Sequence, residues 1–258
     1  MVGMESRSLP VYGAGEVDVP FVIAGTGERI LRDTRWEEHS HPTHELLWHE
    51  RGASSATIGS RTWTITPSIG LWIPAGRLHW GVMPAGTWYR AAHFGVDAVT
   101  PLGEGPVAVV MTPLLRLLLD RLTEPELSAE SRSLTEQMVL DVLAPADHEL
   151  LVQVPSSPLV RPIVDAIVGD PGDPRTLADW AAALGVSTRT ITRMFRAETG
   201  LSLGRWIAAV RAQHAVMLLG RGADVDDVAE RVGYRSASAF GVAFRRVTGT
   251  TPGSFRAG

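Results

Sequence analysis

The chain has 258 residues, 45% of them hydrophobic and 20% charged, which is typical of a globular protein with one or two domains. It contains no cysteine, which excludes disulfide bonds, thiolate metal sites and thiol nucleophiles. The net charge of −4 is unevenly spread: residues 156–258 hold 13 arginines and 9 acidic residues, whereas residues 1–155 hold 11 arginines and 19 acidic residues. Only the C-terminal part is therefore basic, as binding to phosphates requires.

The N-terminal residues 1–20 show little periodicity, and we expect a loose lead-in there. They contain no apolar stretch of the kind found in signal peptides, and nowhere in the chain does an apolar run approach the roughly 18 residues of a membrane span. We therefore expect a cytoplasmic protein that does not contact a membrane.

Residues 21–111 consist of short apolar segments separated by glycine and proline, a pattern that predicts an antiparallel β-barrel. Helical periodicity follows over 112–123 and about 131–143. This helical segment, 112–151, either covers the barrel or pairs two copies of the chain, and the sequence leaves both roles open. The stretch 152–158 has the composition of a linker and precedes a second domain, 159–258.

Six of the eight histidines lie between residues 39 and 93. His39, His41 and Glu45 share parity, so on one extended strand they would all point to the same side. His79 follows forty residues after the first of them. Three imidazoles and a carboxylate form a normal ligand set for Zn, Fe, Mn, Ni or Co. We therefore expect one divalent transition metal, and a metal-free polar pocket is the alternative.

Three further histidines lie close to these ligand candidates in the sequence. His49 has the parity of Glu45 and His93 lies on a later strand, so both are candidates to line an effector pocket. His44 has the opposite parity and is expected to be exposed.

One pattern occurs twice in the C-terminal domain, over 177–200 and again over 225–249. Each copy is an apolar amphipathic helix, a glycine turn, a serine cap and a second amphipathic helix, which is the layout of a helix-turn-helix. The two second helices differ in their outer faces, because the first carries a row of arginines and the second small or neutral residues. The residues that we expect to contact DNA in the first copy are Ser187, Arg189, Thr192, Arg193 and Arg196, and those in the second copy are Ser236, Ser238 and Arg245. Arginine can pair with guanine or bind phosphates, so the first copy should make most of the contacts that recognise the DNA sequence.

Residues from about 159 to 256 resemble the DNA-binding domain of AraC/XylS-type transcription regulators, on the blocks LADWAAALGVSTRTITRMFRAETGLSLGRWI and VDDVAERVGYRSASAFGVAFRRVTGTTPGSFR. The resemblance implies two helix-turn-helix units joined by a long helix, here about 203–219, which contains Arg211 as a further DNA contact. It matches Arg189, Thr192 and Arg193 to base-contacting positions. Val242 stands where the family often has arginine.

The histidine segment resembles the cupins. Their first motif is met by His39, His41, Glu45 and Gly52, and the second by Pro74, Gly76 and His79. The resemblance implies that His39, His41, Glu45 and His79 coordinate one metal. Asp33 and Met83 depart from the motifs at positions that are not ligands.

The sequence thus predicts an α+β protein of two domains: a cupin-like antiparallel β-barrel with following helices, then an all-α domain. The expected function is a transcription regulator that binds double-stranded promoter DNA and is controlled by a metal ion or a small-molecule effector. A homodimer is a further possibility, and RNA polymerase would be a partner of an activator. Two alternatives remain, a metal-dependent cupin enzyme and a DNA binder with an inert barrel, but no acid or base beyond the ligand set is evident, so we expect no catalysis.

Overall fold

The computed structural model describes residues 4–255, which divide into two compact units. The first contains residues up to 59 together with 65–149, and the second contains 60–64 and the chain from 150 onward. The short segment 60–64 belongs with the second unit. The sequence does not predict this assignment.

Two sheets build the first unit. Within this unit, the strands of the first sheet follow the order β1 (Glu5–Arg7), β3 (Thr34–His39), β8 (His79–Met83) and β5 (Ser54–Ile58). The second runs in the order β10 (Val107–Val110), β7 (Ile69–Ile73), β4 (His44–Arg51), β9 (Trp88–Phe94) and β2 (Ile23–Arg29). All these pairs are antiparallel except β1 with β3. β1 therefore gives regular structure to part of the expected lead-in, 1–20, because its backbone pairs with that of β3.

Helices α1 (Pro113–Arg121) and α2 (Ala129–Val142) contribute side chains to one hydrophobic core of this unit. Leu115 and Val139 are fully buried there, together with Trp72 and Phe94 of the second sheet. Each helix begins at a side-chain cap, Thr112 for α1 and Ser128 for α2. The second helix therefore starts two residues before the expected position.

The second unit contains six helices among the described residues: α3 (Arg161–Gly169), α4 (Leu177–Leu184), α5 (Thr188–Thr199), α6 (Leu203–Gly220), α7 (Val225–Arg231) and α8 (Ala237–Thr248). Its core surrounds the fully buried Trp206 of the long helix α6. The turn between α4 and α5 uses Gly185 at φ 64°, a conformation that glycine adopts without strain.

The expected linker is partly structured. Its first residues belong to β11 (Leu151–Gln153), which pairs with β6 (Arg61–Ile65). Val152 is buried in the core of the second unit, and the indole Nε1–H of Trp206 donates to the Gln153 carbonyl at 2.8 Å. The composition of 152–158 concealed this strand, because a three-residue strand has too little periodicity to be recognised.

The predicted fold class, an antiparallel β domain followed by an all-helical domain, is confirmed. Within residues 4–255, the structure contains no helix of sufficient length and hydrophobicity to cross a bilayer.

Candidate metal centre and DNA interface

The four predicted metal ligands come together, but His39, His41 and Glu45 do not share one strand as their parity suggested. His39 ends β3 and lies opposite His79 of β8 in the first sheet. Glu45 is on β4 in the second sheet, opposite His93 of β9. His41 lies in the connection between β3 and β4. The cluster therefore spans the two sheets, and the chain crosses from one to the other between its ligands.

The distances within this cluster are those of a compact ligand set. One ring nitrogen from each of His39, His41 and His79 lies within 4.8 Å of the others. The Oε2 atom of Glu45 is 3.6 Å from His41 Nε2 and 3.5 Å from His79 Nε2. This oxygen is buried and has no hydrogen-bond partner among the described residues. An orphaned carboxylate oxygen amid three imidazoles fits a bound cation, because it would supply the missing interaction.

Two of the imidazoles are oriented by the backbone. His39 Nδ1 lies 2.7 Å from the Glu37 carbonyl, and His79 Nδ1 lies 2.9 Å from the Arg77 carbonyl. A carbonyl only accepts, so both Nδ1 atoms must carry the proton, which directs the Nε2 atoms to the cluster. Metal-binding histidines are held in this way, with the second nitrogen donating to a carbonyl or carboxylate.

The charges in the cluster are also set by its surroundings. Burial lowers the pKa of His41 to about 4, and burial with the nearby His79 lowers that of His39. Burial alone would lower the pKa of His79 and raise that of Glu45, but their proximity reverses both, so the pKa of His79 is raised and that of Glu45 is lowered. His39 and His41 are therefore neutral and Glu45 is ionised, which are the protonation states that metal binding requires, whereas His79 would release a proton when it binds an ion.

A cavity of about 290 Å³ opens beside the cluster. All four predicted ligands and His93 line it, with Thr43 Oγ1 3.1 Å from His93 Nδ1. The remaining wall is largely aromatic and apolar, and sequence reasoning did not identify which residues form it. Its principal members are Leu9, Trp36, Leu47, Trp80, Met83 and Tyr89. Strand periodicity places aromatic residues in the β domain but does not distinguish a cavity wall from the core.

His49 and His44 lie elsewhere. His49, expected in the effector pocket, is fully buried and not among the cavity-lining residues; its Nε2 lies 2.7 Å from Ser54 Oγ. His44, expected to be exposed, is 6% exposed, stacks on Trp72 and accepts a hydrogen bond from the Ala75 amide. Parity failed for both because the first six residues of β4 are all buried, so neither face of the strand meets solvent.

The second helix of the first repeat, α5, presents the predicted basic face. Ile191 and Phe195 are fully buried, whereas Arg189, Arg193 and Arg196 are exposed. Thr192 lies on the same side, half-buried, and its hydroxyl donates to the Thr188 carbonyl. Ser187 caps the helix by accepting from the Thr190 amide, so its role is at least partly structural.

The corresponding helix of the second repeat, α8, buries Phe240 and Phe244. Ser236 is its cap and accepts from the Ala239 amide. Its outer face exposes Ser238, Arg245 and Val242, the last at 63%. The second unit has further exposed arginines that the sequence analysis did not assign to DNA: Arg205 on α6, Arg235 just before α8 and Arg246 within α8.

Arg211, which was expected to contact DNA, also makes contacts within the protein. Its guanidinium is half-buried and donates to the carbonyls of Pro171, at 2.8 Å, and Asp173, at 3.4 Å. It also lies 5.3 Å from the Tyr234 ring. Arg211 therefore connects the loop before the first repeat to the turn of the second, and its contact with DNA stays a prediction.

Comparison with known proteins agrees with this two-part architecture. Residues 26–150 match the family described as AraC-like ligand binding domain, and residues 180–258 match a helix-turn-helix domain. The HTH-type transcriptional regulator NimR of Escherichia coli K12 is 28% identical over 245 residues, which cover 93% of this chain and 88% of NimR. The regulator RipA of Corynebacterium glutamicum is 35% identical over 220 residues, covering 83% of this chain but only 62% of RipA.

A structural comparison finds ToxT of Vibrio cholerae O395, with a TM-score of 0.37 and 12% identity over 91% of this chain and 96% of ToxT. A score of this size is too low to transfer any property.

A ligand-binding β domain joined to a double helix-turn-helix domain defines a DNA-binding transcription regulator. The chain belongs to the AraC type of these regulators.

Proposed function

We propose that this regulator binds one divalent transition metal through His39, His41, Glu45 and His79, and that the metal ion, or a small molecule bound beside it, controls binding of the helical domain to promoter DNA. The metal would be Zn, Fe, Mn, Ni or Co, since nitrogen and carboxylate ligands suit all of them. The observation that carries the proposal is the buried Glu45 oxygen among three imidazoles, two of which are held by backbone carbonyls.

The DNA side of the proposal rests on the exposed arginines of the two repeats. Arg189, Arg193 and Arg196 would enter one major groove from α5, and Arg245 with Ser238 would enter the next from α8. RNA polymerase would be a further partner if the protein activates transcription.

Control by a ligand requires that the ligand bind two states of the protein unequally. The coupling is reciprocal, so promoter DNA must change the affinity for the ligand by the same factor as the ligand changes the affinity for DNA. Equal DNA affinity with metal, with chelator and with added effectors would instead favour an inert β domain.

The metal site is tested with the untagged full-length protein, stripped by a chelator and refilled separately with each of the five metals. We expect one ion per chain by elemental analysis and a higher melting temperature, because an ion at 100 times its Kd stabilises the folded state by about 2.7 kcal/mol. The double variant H41A/E45A should bind no metal, and its melting temperature should be the same whether or not metal is added.

The matched control is H148A/E149A, which removes the same residue types from exposed positions outside the cluster. It should retain the ion and the thermal shift. Stoichiometric metal in H41A/E45A, or none in the wild type, would refute the site and leave an ordinary polar pocket.

A further inference from the structure

The cavity beside the histidine cluster is lined by the cluster itself and by aromatic and apolar side chains. Among its lining residues in the described chain, the ionisable groups other than the Tyr89 phenol are the cluster residues and His93. Trp36 and Tyr89 form an aromatic wall beside the cluster: their ring centroids are 6.2 Å apart at 76°, and the Trp36 ring lies 6.2 Å from that of His39. Leu47 and Met83 complete that wall.

We propose that the effector is a small aromatic monocarboxylate, held with its carboxylate at the metal ion and its ring against Trp36 and Tyr89. This inference rests on the proposed metal site. A divalent ion with one Glu45 carboxylate and three neutral imidazoles carries a formal charge of +1. A buried net charge is costly unless an opposite charge compensates it, and the cavity wall supplies none beyond Glu45. A monoanionic ligand removes that imbalance, whereas a neutral or cationic ligand does not.

The size and surface of the cavity narrow the ligand further. Pockets for drug-sized ligands measure roughly 300–1,000 Å³, so a cavity of about 290 Å³ suits a molecule of one or two rings. Aromatic side chains prefer edge-to-face or offset contacts with a second ring, and the perpendicular arrangement of Trp36 and Tyr89 offers both. The ring of Trp36 is itself held by Arg7, whose guanidinium carbon lies 5.3 Å from its centroid and which pairs with Glu28.

His41 gives the ligand access to the ion. Its side chain is 18% exposed, against 9% for Glu45 and 6% for His79, so the cluster is most open on the side of His41. A ligand carboxylate approaching there would replace solvent at the ion without displacing the more deeply buried residues.

The experiment uses full-length protein loaded with Co²⁺, whose visible spectrum changes when a carboxylate replaces solvent at the ion. The probes are benzoate and 1-naphthoate, their uncharged amides, and octanoate as a flexible acid. Calorimetry gives each Kd, and elemental analysis of the same samples gives the metal content. We expect the aromatic acids to bind at least tenfold more tightly than their amides and than octanoate, to change the cobalt spectrum, and to lose binding in chelated protein.

Two variants test the aromatic wall. W36L should weaken binding of the aromatic acids about three- to tenfold, the range expected for one aromatic contact. The control W88L replaces a half-buried tryptophan of β9 that does not line the cavity and should leave the Kd unchanged. Melting curves of both variants establish that they are folded.

Each outcome bears on one proposal. Three results would overturn this inference but not the metal site. In the first, metal-loaded protein binds the amides or octanoate as tightly as the aromatic acids. In the second it binds no acid, and in the third it binds the acids equally well after chelation. Equal effects of W36L and W88L overturn the aromatic wall. Absence of metal from every refilled sample overturns the proposed metal site itself, and with it the basis of this inference.

Discussion

His49 shows how surroundings decide the role of a histidine. It has the same parity as Glu45 in β4, yet it packs inside the domain with Nε2 against Ser54 Oγ and with Nδ1 buried and unpaired among the described residues. Burial lowers the pKa of its imidazole to about 3. His39 and His79 differ because a backbone carbonyl occupies their Nδ1 atoms and leaves Nε2 free for a ligand.

The buried His49 predicts a pH dependence of stability. Its folded pKa of about 3 is below the unfolded value of about 6.5, so its contribution is fully present above pH 6.5 and is lost as the pH falls toward 3. Below pH 6.5 the free energy of unfolding should therefore fall less steeply with pH in H49Q than in the wild type, by up to about 1.4 kcal/mol per pH unit. Denaturant unfolding of chelated protein at pH 7, 6 and 5 measures this.

The control for that series is H148Q, which changes an exposed histidine. Its stability should follow the wild type at every pH. Parallel curves for H49Q and the wild type would show that His49 is not protonated on unfolding in this range.

At the scale of elements, the second helices of the two repeats, α5 and α8, have the same length, a serine cap and buried residues at the same positions, but their outer faces differ. Both begin at a serine, Ser187 or Ser236, and both end at a glycine with positive φ. α5 exposes Arg193 at the position where α8 exposes Val242, and the arginines of α8 lie only in its last turn. Because arginine can make bidentate bonds to guanine and valine offers only apolar contact, sequence reading should be concentrated in α5.

This asymmetry can be measured by binding to systematically substituted operator sequences. R193A should weaken specific binding by about 1–3 kcal/mol and relax preference at one base pair, whereas V242A should change affinity little. Both positions are exposed, so neither change should lower the melting temperature. A uniform loss for R193A across all sequences would assign Arg193 to phosphate, and equal losses for the two variants would contradict the asymmetry.

The helix pair α1 and α2 bears on whether two copies of the chain pair, one of the two roles that the sequence left open for it. Leu114 and Leu117 of α1 and Leu134 and Met138 of α2 are between 47% and 67% exposed, although both helices bury other apolar residues in the core. Apolar side chains exposed on both helices of one pair are available for contact with a second copy of the chain. We expect L117E to convert a dimer into monomers in sedimentation experiments without lowering the melting temperature of the monomer. The control L31E replaces a leucine that is 86% exposed outside the pair; equal effects of both would contradict the assignment.

At the scale of the whole molecule, the basic second unit within an acidic chain should dominate DNA affinity. With about six phosphate contacts, affinity for the gene's own upstream region should fall roughly 10³-fold between 50 and 200 mM salt. Neutralising one exposed arginine with R235Q should reduce the slope of log affinity against log salt by about one. A Kd insensitive to salt would rule out phosphate contacts as the main source of affinity.

Local patterns in the sequence were sufficient for the helical domain. The paired repeats, the caps Ser187 and Ser236 and the glycine turns depend on residues within about four positions of each other, so periodicity and cap chemistry predict them directly. The four ligand candidates were also chosen from spacing. The structure brings them together, although the single-strand geometry was wrong and metal binding stays a prediction.

Other features depended on the tertiary structure. His44 and His49 are both buried because both faces of β4 are covered, and strand parity cannot show whether one face or both are covered. From the sequence, Arg211 is a basic residue on a long helix, but in the structure its Nε–H donates a hydrogen bond to the carbonyl of Pro171, forty residues away. The cavity wall joins Trp36 to Tyr89 across more than fifty residues. Sequence alone determined the features that rest on local hydrogen bonds and periodicity, and the tertiary structure decided those that rest on which distant strands and loops pack together.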